Sequence, residues 1–150
     1  SGLAADAREA AVNEITGIAV SIAIGPGRHL DYQGMAAFTA SLILKLSKIQ
    51  IPAGTFLNIN CPDSLVCNTK GIKITRQAKN NVSRAFVKKK DPKGRSYFWY
   101  DGLSPTKAIP DTDIHALQHN YISISPLQCE TTDKKLLKHL ATLESDPTTE

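Results

Sequence analysis

The sequence predicts an α/β fold, and three observations lead there. An Ala-rich stretch of helix formers, Leu3 to Glu14, runs into the short apolar segment Ile18 to Ile24. A second amphipathic segment, with Met35, Phe38, Leu42, Leu46 and Ile49 spaced by three and four, runs into a second apolar segment, Phe56 to Asn60. Pro and Gly punctuate the joins, as at Gly25-Pro26-Gly27 and between Pro52 and Gly54. Helix, strand, helix, strand is the order in which helices cover a sheet.

Each element has a local reason. Asp6 lies near the start of the first helix, where free N–H groups favour a negative charge, and Gly17 punctuates its end. The small, apolar run Ile18 to Ile24 reads as a buried parallel strand. Asp31 caps the second helix, and Pro62 stops the strand that follows it. Gly71 to Arg76 alternates apolar and polar, as a half-exposed strand does. Asp91-Pro92-Lys93-Gly94 is a turn signal that makes residues 83–100 a hairpin. Its returning strand puts Tyr97 and Trp99 on one face and Phe98 and Tyr100 on the other. A two-stranded arm cannot bury both faces, so the main body or a second subunit covers it. Residues 101–118 read as turn-rich. Tyr121 to Ser125 reads as a strand stopped at Pro126, and Asp133 caps a last helix with Leu136, Leu140 and Leu143 on one face. The chain divides into a partial α/β core over 1–78, an arm over 79–105, a return loop and core strand over 106–128, and a helix with a polar tail over 129–150.

The bulk numbers exclude little but bound the rest. The 150 residues are 41% hydrophobic, enough for one packed core, and 18 Lys and Arg against 14 Asp and Glu give a formal charge of +4. That balance suits an anionic ligand without demanding nucleic acid. Three cysteines, Cys61, Cys67 and Cys129, form no CxxC pair and read as buried thiols of a reducing compartment. No apolar run reaches the ~20 residues that cross a membrane, and no signal peptide opens the chain, so the cytoplasm is expected.

Few residues announce chemistry. Ser1 and Gly2 open a helix, where converging N–H groups can receive phosphate, a property that every helix start shares. His115 and His119 are four apart but lack an HExxH pattern, and a satisfied or solvent-facing pair is the expectation. His29 follows a Gly-rich turn after a strand, and Asn58 and Asn60 end a core strand, both places where ligands sit in open α/β sheets. Lys88, Lys89, Lys90, Lys93 and Arg95 form a basic hairpin tip, read as a solvated turn in preference to a strand-gripping surface. There is no GxSxG elbow, no GxGxxG and no carboxylate cluster for a metal, so no catalytic residue and no metal ligand is assigned within the chain.

The ordered set of segments resembles the SurE family of survival proteins, which are 5'-nucleotidases. It comprises Ser1 to Ala10, Gly54-Thr55-Phe56-Leu57-Asn58-Ile59-Asn60-Cys61-Pro62, Gly71 to Gln77, Asp91 to Trp99, Thr112-Asp113, and Tyr121 to Leu127. The resemblance implies the C-terminal part of a Rossmann-type sheet with a protruding β-hairpin arm and a C-terminal helix. It implies a metal-dependent phosphomonoesterase for nucleoside 5'- and 3'-monophosphates, with Mg or Mn held by an Asn-Asp-Asp-Gly motif, a Ser and an Asn that have no counterparts here. On that reading the divalent ion is not fully ligated by this chain, and these residues alone are inactive. Ser1 and Gly2 correspond to the family's phosphate pocket, while Leu3 replaces its Thr and removes a hydroxyl. The resemblance further implies homodimers or homotetramers built through the 83–100 hairpin and the C-terminal helix. The expected ligand is a nucleoside monophosphate or phosphate; neither nucleic acid nor membrane is the expected partner. The alternatives are a non-catalytic oligomerisation fragment or decayed paralogue, and a nucleic-acid-binding module using the hairpin.

Overall fold

The computed structural model describes residues 2–23, 31–79, 83–104 and 108–144. Four strands form one mixed sheet in the order β1-β2-β6-β3: β1 (Ile18–Ile22), β2 (Thr55–Cys61), β3 (Ile72–Ile74) and β6 (Ile122–Gln128). β1 and β2 are parallel, β2 and β6 antiparallel, and β3 and β6 parallel. β4 (Ser83–Lys90) and β5 (Ser96–Ser104) form a separate antiparallel hairpin. The helices are α1 (Gly2–Val12), α2 (Tyr32–Leu46), α3 (Asp113–Gln118) and α4 (Lys134–Leu140).

Alternation along the strands divides the core in two. On one face Met35 and Leu42 of α2 pack against Ile59, Cys61, Ile122 and Ile124, with Ile18, Val20 and Ile22 beside them. On the other, Ala7 and Ala11 of α1 pack against Ala19 and Phe56. The small residues of α1 permit close approach to the sheet. Asp31 caps α2 as expected, its Oδ1 accepting from Gly34 N at 2.8 Å. The apolar stripe holds through Leu46, but Ile49 lies past the helix end and is 60% exposed.

Other expectations are corrected. α1 ends at Val12, and the left-handed residue that follows is Glu14, at φ 61°, not Gly17. β6 does not stop at Pro126 but continues to Gln128. Ile122 N donates to Gly71 O on the β3 side and Cys129 N to Gly54 O on the β2 side, so even-numbered N–H groups of β6 point towards β3. Pro126 lies beyond the end of β3, and its missing N–H deprives no ladder bond. All three residues of β3 are exposed, so its alternation marks an edge rather than a half-buried strand. The stretch read as turn-rich contains the end of β5 and the whole of α3. The Gly25-Pro26-Gly27 turn and His29 lie outside the described residues.

The hydroxyls of the sheet are internally satisfied. Thr75 Oγ1 lies 2.7 Å from both Ser123 Oγ and Ser125 Oγ, and all three residues are buried. Thr112, fully buried, caps α3: its Oγ1 donates to Ile109 O at 2.7 Å and accepts from His115 N. Asp113 accepts from Ala78 N at 3.0 Å and clamps the chain entering the arm to the start of α3.

The three thiols are free, but only Cys61 is buried; the expected burial fails for exposed Cys67 and half-buried Cys129. Burial pushes the Cys61 thiol up from its ordinary pKa. Its folded pKa lies above the unfolded value of about 8.5. The neutral buried thiol therefore favours folding fully below that pH, and the contribution is lost as pH rises through the folded value. Alkylation under native conditions is expected to label exposed Cys67 fast and half-buried Cys129 slowly. Cys61 should label only on unfolding, as peptide mass analysis can read. Rapid native labelling of Cys61 would contradict its place in the core.

Candidate functional site

The start of α1 and the carboxyl ends of β1 and β2 meet at one edge of the sheet. In open α/β sheets this is the edge at which ligands collect. α1 runs back along β1, so Leu3 shares a groove of about 610 Å³ with Val20, Ser21 and Ile22, and Tyr32 and Met35 of α2 complete it. Ser21 Oγ donates to Asn60 Oδ1 at 2.6 Å, tying the ends of the two parallel strands together. Gly2 opens α1, and a Cβ built there meets nothing within 4 Å. The first N–H groups of a helix have no intrahelical acceptor and are available to an anion. Asp6 is not in the first turn, which holds no acidic residue to compete with one.

The sequence-derived candidates separate in space. Gly2 and Asn60 belong to this end of the sheet, while Ser1 is outside the described residues. Asn58 lies one step deeper, paired across the strands with Ser125. Ser21 stands in no nucleophile elbow. Its signal was position, at the end of an apolar strand. Leu3 is 51% exposed at the groove and offers no hydroxyl. His115 lies on α3 and His119 caps its C-terminus, away from this groove and lining a different cavity.

The described residues do not fit a divalent ion by themselves. Among them no group of three or more His, Cys, Asp or Glu side chains could hold one. No helix among them is long and apolar enough to cross a membrane.

The arm and the last helix stand apart from the core. β4 pairs with β5 alone, and Phe86, Tyr97, Phe98 and Trp99 are each at least 40% exposed. Among the described residues the main body leaves these aromatic side chains open. Tyr97 and Trp99 meet edge to face at 6.5 Å, and Lys89 Nζ sits 5.3 Å from the Trp99 ring centre. At the tip Arg95 pairs with Asp91 at 2.8 Å, and hydrogen bonds from Arg95 hold the Asp91 carboxyl below the usual carboxylate range. α4 is capped by Asp133 but buries none of its residues, leaving Leu136, Leu137 and Leu140 exposed.

A parallel strand pair with a helix start at its carboxyl edge, joined to an antiparallel arm, defines an α/β protein of Rossmann type. The family model described as survival protein SurE matches residues 1–84. A 5'-nucleotidase SurE of Desulfatibacillum aliphaticivorans is 36% identical over 143 residues, covering 93% of this chain and 55% of that protein. One from Geobacter sulfurreducens is 38% identical over 134 residues, covering 89% and 51%. The crystal structure of the SurE protein from Aquifex aeolicus superposes with a TM-score of 0.80 at 29% identity, over 97% of this chain and 58% of that one. The chain belongs to the SurE family. It spans about half the length of the curated relatives it matches.

Proposed function

We propose that this chain contributes the anion cradle and the assembly surfaces of a phosphomonoesterase acting on nucleoside monophosphates. The observation that carries the reading is the start of α1 beside the Ser21–Asn60 pair, in a chain whose relatives are 5'-nucleotidases. Ser1 and Gly2 hold the phosphate through main-chain N–H groups, with the helix dipole favouring its charge. Ser21 fixes the Asn60 amide oxygen and so orients that side chain at the end of β2. Mg or Mn, which the family reading calls for, requires donors from outside the described residues. The working compartment is the cytoplasm, in keeping with three free thiols.

The arm and α4 are the assembly surfaces of a homodimer or homotetramer. Exposed aromatics on two faces of a hairpin and a bare leucine face on a capped helix suit a subunit interface. Single-stranded nucleic acid is the weaker reading of the arm, because Lys89 already occupies a face of Trp99 that a base would stack on.

Titration of the isotope-labelled 150-residue chain with adenosine 5'-monophosphate, followed by NMR, tests the cradle. The expected result is saturable shifts at Gly2 to Ala5 and at Ser21 and Asn60, with no hydrolysis above background in Mg or Mn. Leu3→Thr is expected to tighten binding by about tenfold, the effect of one added hydrogen bond to a charged group. Strong metal-dependent turnover by these residues alone, abolished by chelator, would overturn the division of labour. An unmoved α1 start at saturating nucleotide would overturn the cradle.

A further inference from the structure

A cationic cavity lies at the β3 side of the sheet, beyond β6 and β2 from the α1 groove. It encloses about 210 Å³ between β3, α3 and the residue that leads into β6. Lys73 lies on β3 and Lys70 just before it, His115 lies on α3 and His119 caps its C-terminus, and Tyr121 precedes β6; Asp111 is the cavity's one carboxylate. The two lysine ammoniums converge on the Tyr121 ring, at 6.0 and 5.1 Å from its centre. Neither forms an ion pair among the described residues, where the pairs formed are Arg95–Asp91 and Lys134–Glu130. Two like charges drawn into one concave site are unfavourable, and an anion between them removes the repulsion.

The imidazoles add direction. Their ring centres are 4.1 Å apart, and His119 Nδ1 lies 2.8 Å from His115 O. A carbonyl only accepts, so Nδ1 carries the hydrogen there and Nε2 is left for another partner. Donors come from three separate segments of chain: β3 and the residue two before it, α3 with its C-terminal cap, and the residue before β6. A tetrahedral, multiply charged oxyanion satisfies such a set better than a planar carboxylate does. A metal ion is disfavoured by the same two ammoniums.

We propose that this cavity binds a phosphoryl group, as free phosphate or as the phosphate of a nucleotide. The site is independent of the α1 cradle and is held by Lys70 and Lys73, with His115, His119 and Tyr121 closing it. It survives if the cradle reading fails, because no residue is shared between them.

The test is NMR titration of the labelled chain with inorganic phosphate at constant ionic strength, with sodium chloride as control. Saturable shifts at Lys73, His115, His119 and Tyr121 are expected, with a dissociation constant in the millimolar range or tighter, about −4 kcal/mol at 1 mM. Both lysines are exposed, so the Lys70→Met, Lys73→Met double variant keeps the fold. It is expected to weaken phosphate binding at least about tenfold, the loss of charge-assisted contacts. Lys73→Arg, which keeps the charge, is expected to stay within a few-fold of the parent. Adenosine 5'-monophosphate binding here tighter than phosphate, with adenosine alone silent, identifies a nucleotide as the source; equal affinity identifies free phosphate. No saturable shift at these residues up to about 50 mM phosphate, or a double variant that binds as the parent does, would overturn the proposal.

Discussion

Gly17→Ala is expected to lose about 3 kcal/mol or more of stability, at the upper end of what overpacking costs. A Cβ at that position would lie 2.0 Å from Ala7 O, 2.7 Å from Ala7 C and 2.9 Å from Ala7 Cα. All three are main-chain atoms, so no rotamer change relieves the contact. α1 would have to lift away from β1, opening the contact of Ala7 and Ala11 with Ala19 and Phe56. Gly17 also accepts from Leu57 N at 2.9 Å, so a shift on its side strains the β1–β2 ladder. Urea denaturation reads the loss, and Ala7→Gly should not rescue it, because the clash is not with the Ala7 side chain. A midpoint equal to the parent's would contradict this close approach. Residual folded protein should also bind phosphate more weakly at Gly2, since the start of α1 moves with the rest of the helix.

The second large effect is expected at Ile59, which is fully buried in the middle of β2. It packs between α2 and the sheet with Met35, Leu42, Cys61, Ile122 and Ile124. Ile59→Ala removes three carbons and leaves a void that β2, held by β1 and β6 on either side, cannot close. Such substitutions cost about 2–5 kcal/mol. Against a typical total of about 5–15 kcal/mol, that populates the unfolded chain visibly. A thermal melt should show the drop, and Ile59→Val, with one methylene fewer, should cost about 0.5–1.5 kcal/mol. Equal melting of all three proteins would place Ile59 outside the core.

Features with short-range causes were legible in the sequence. Asp31 and Asp133 cap helices because a carboxylate two or three residues ahead of unpaired N–H groups needs no tertiary help. Asp91 to Gly94 turns the hairpin for the same reason: Asp91 Oδ1 accepts from Lys93 N and Arg95 N within the turn itself. α3 was missed although Thr112, its cap, stands directly before it: the helix is only six residues long, too short for its apolar spacing to stand out in a stretch read as turn-rich. The candidate site was half legible. Gly2 and Asn60 were marked by position, while Ser21 gained meaning only from its contact with Asn60, 39 residues away.

The amino-acid order by itself determined the α/β alternation, the capped helices, the two-faced arm and, through its ordered motifs, the SurE family. These rest on periodicity and on hydrogen bonds between near neighbours, which the chain carries wherever it goes. Tertiary structure alone decided that Pro126 continues a strand, that Gly17 must lack a side chain, and that Lys70, Lys73, His115 and His119 surround one cavity. Each of these depends on which strand ends where and which backbone passes close by, and such facts come into being only when distant segments pack.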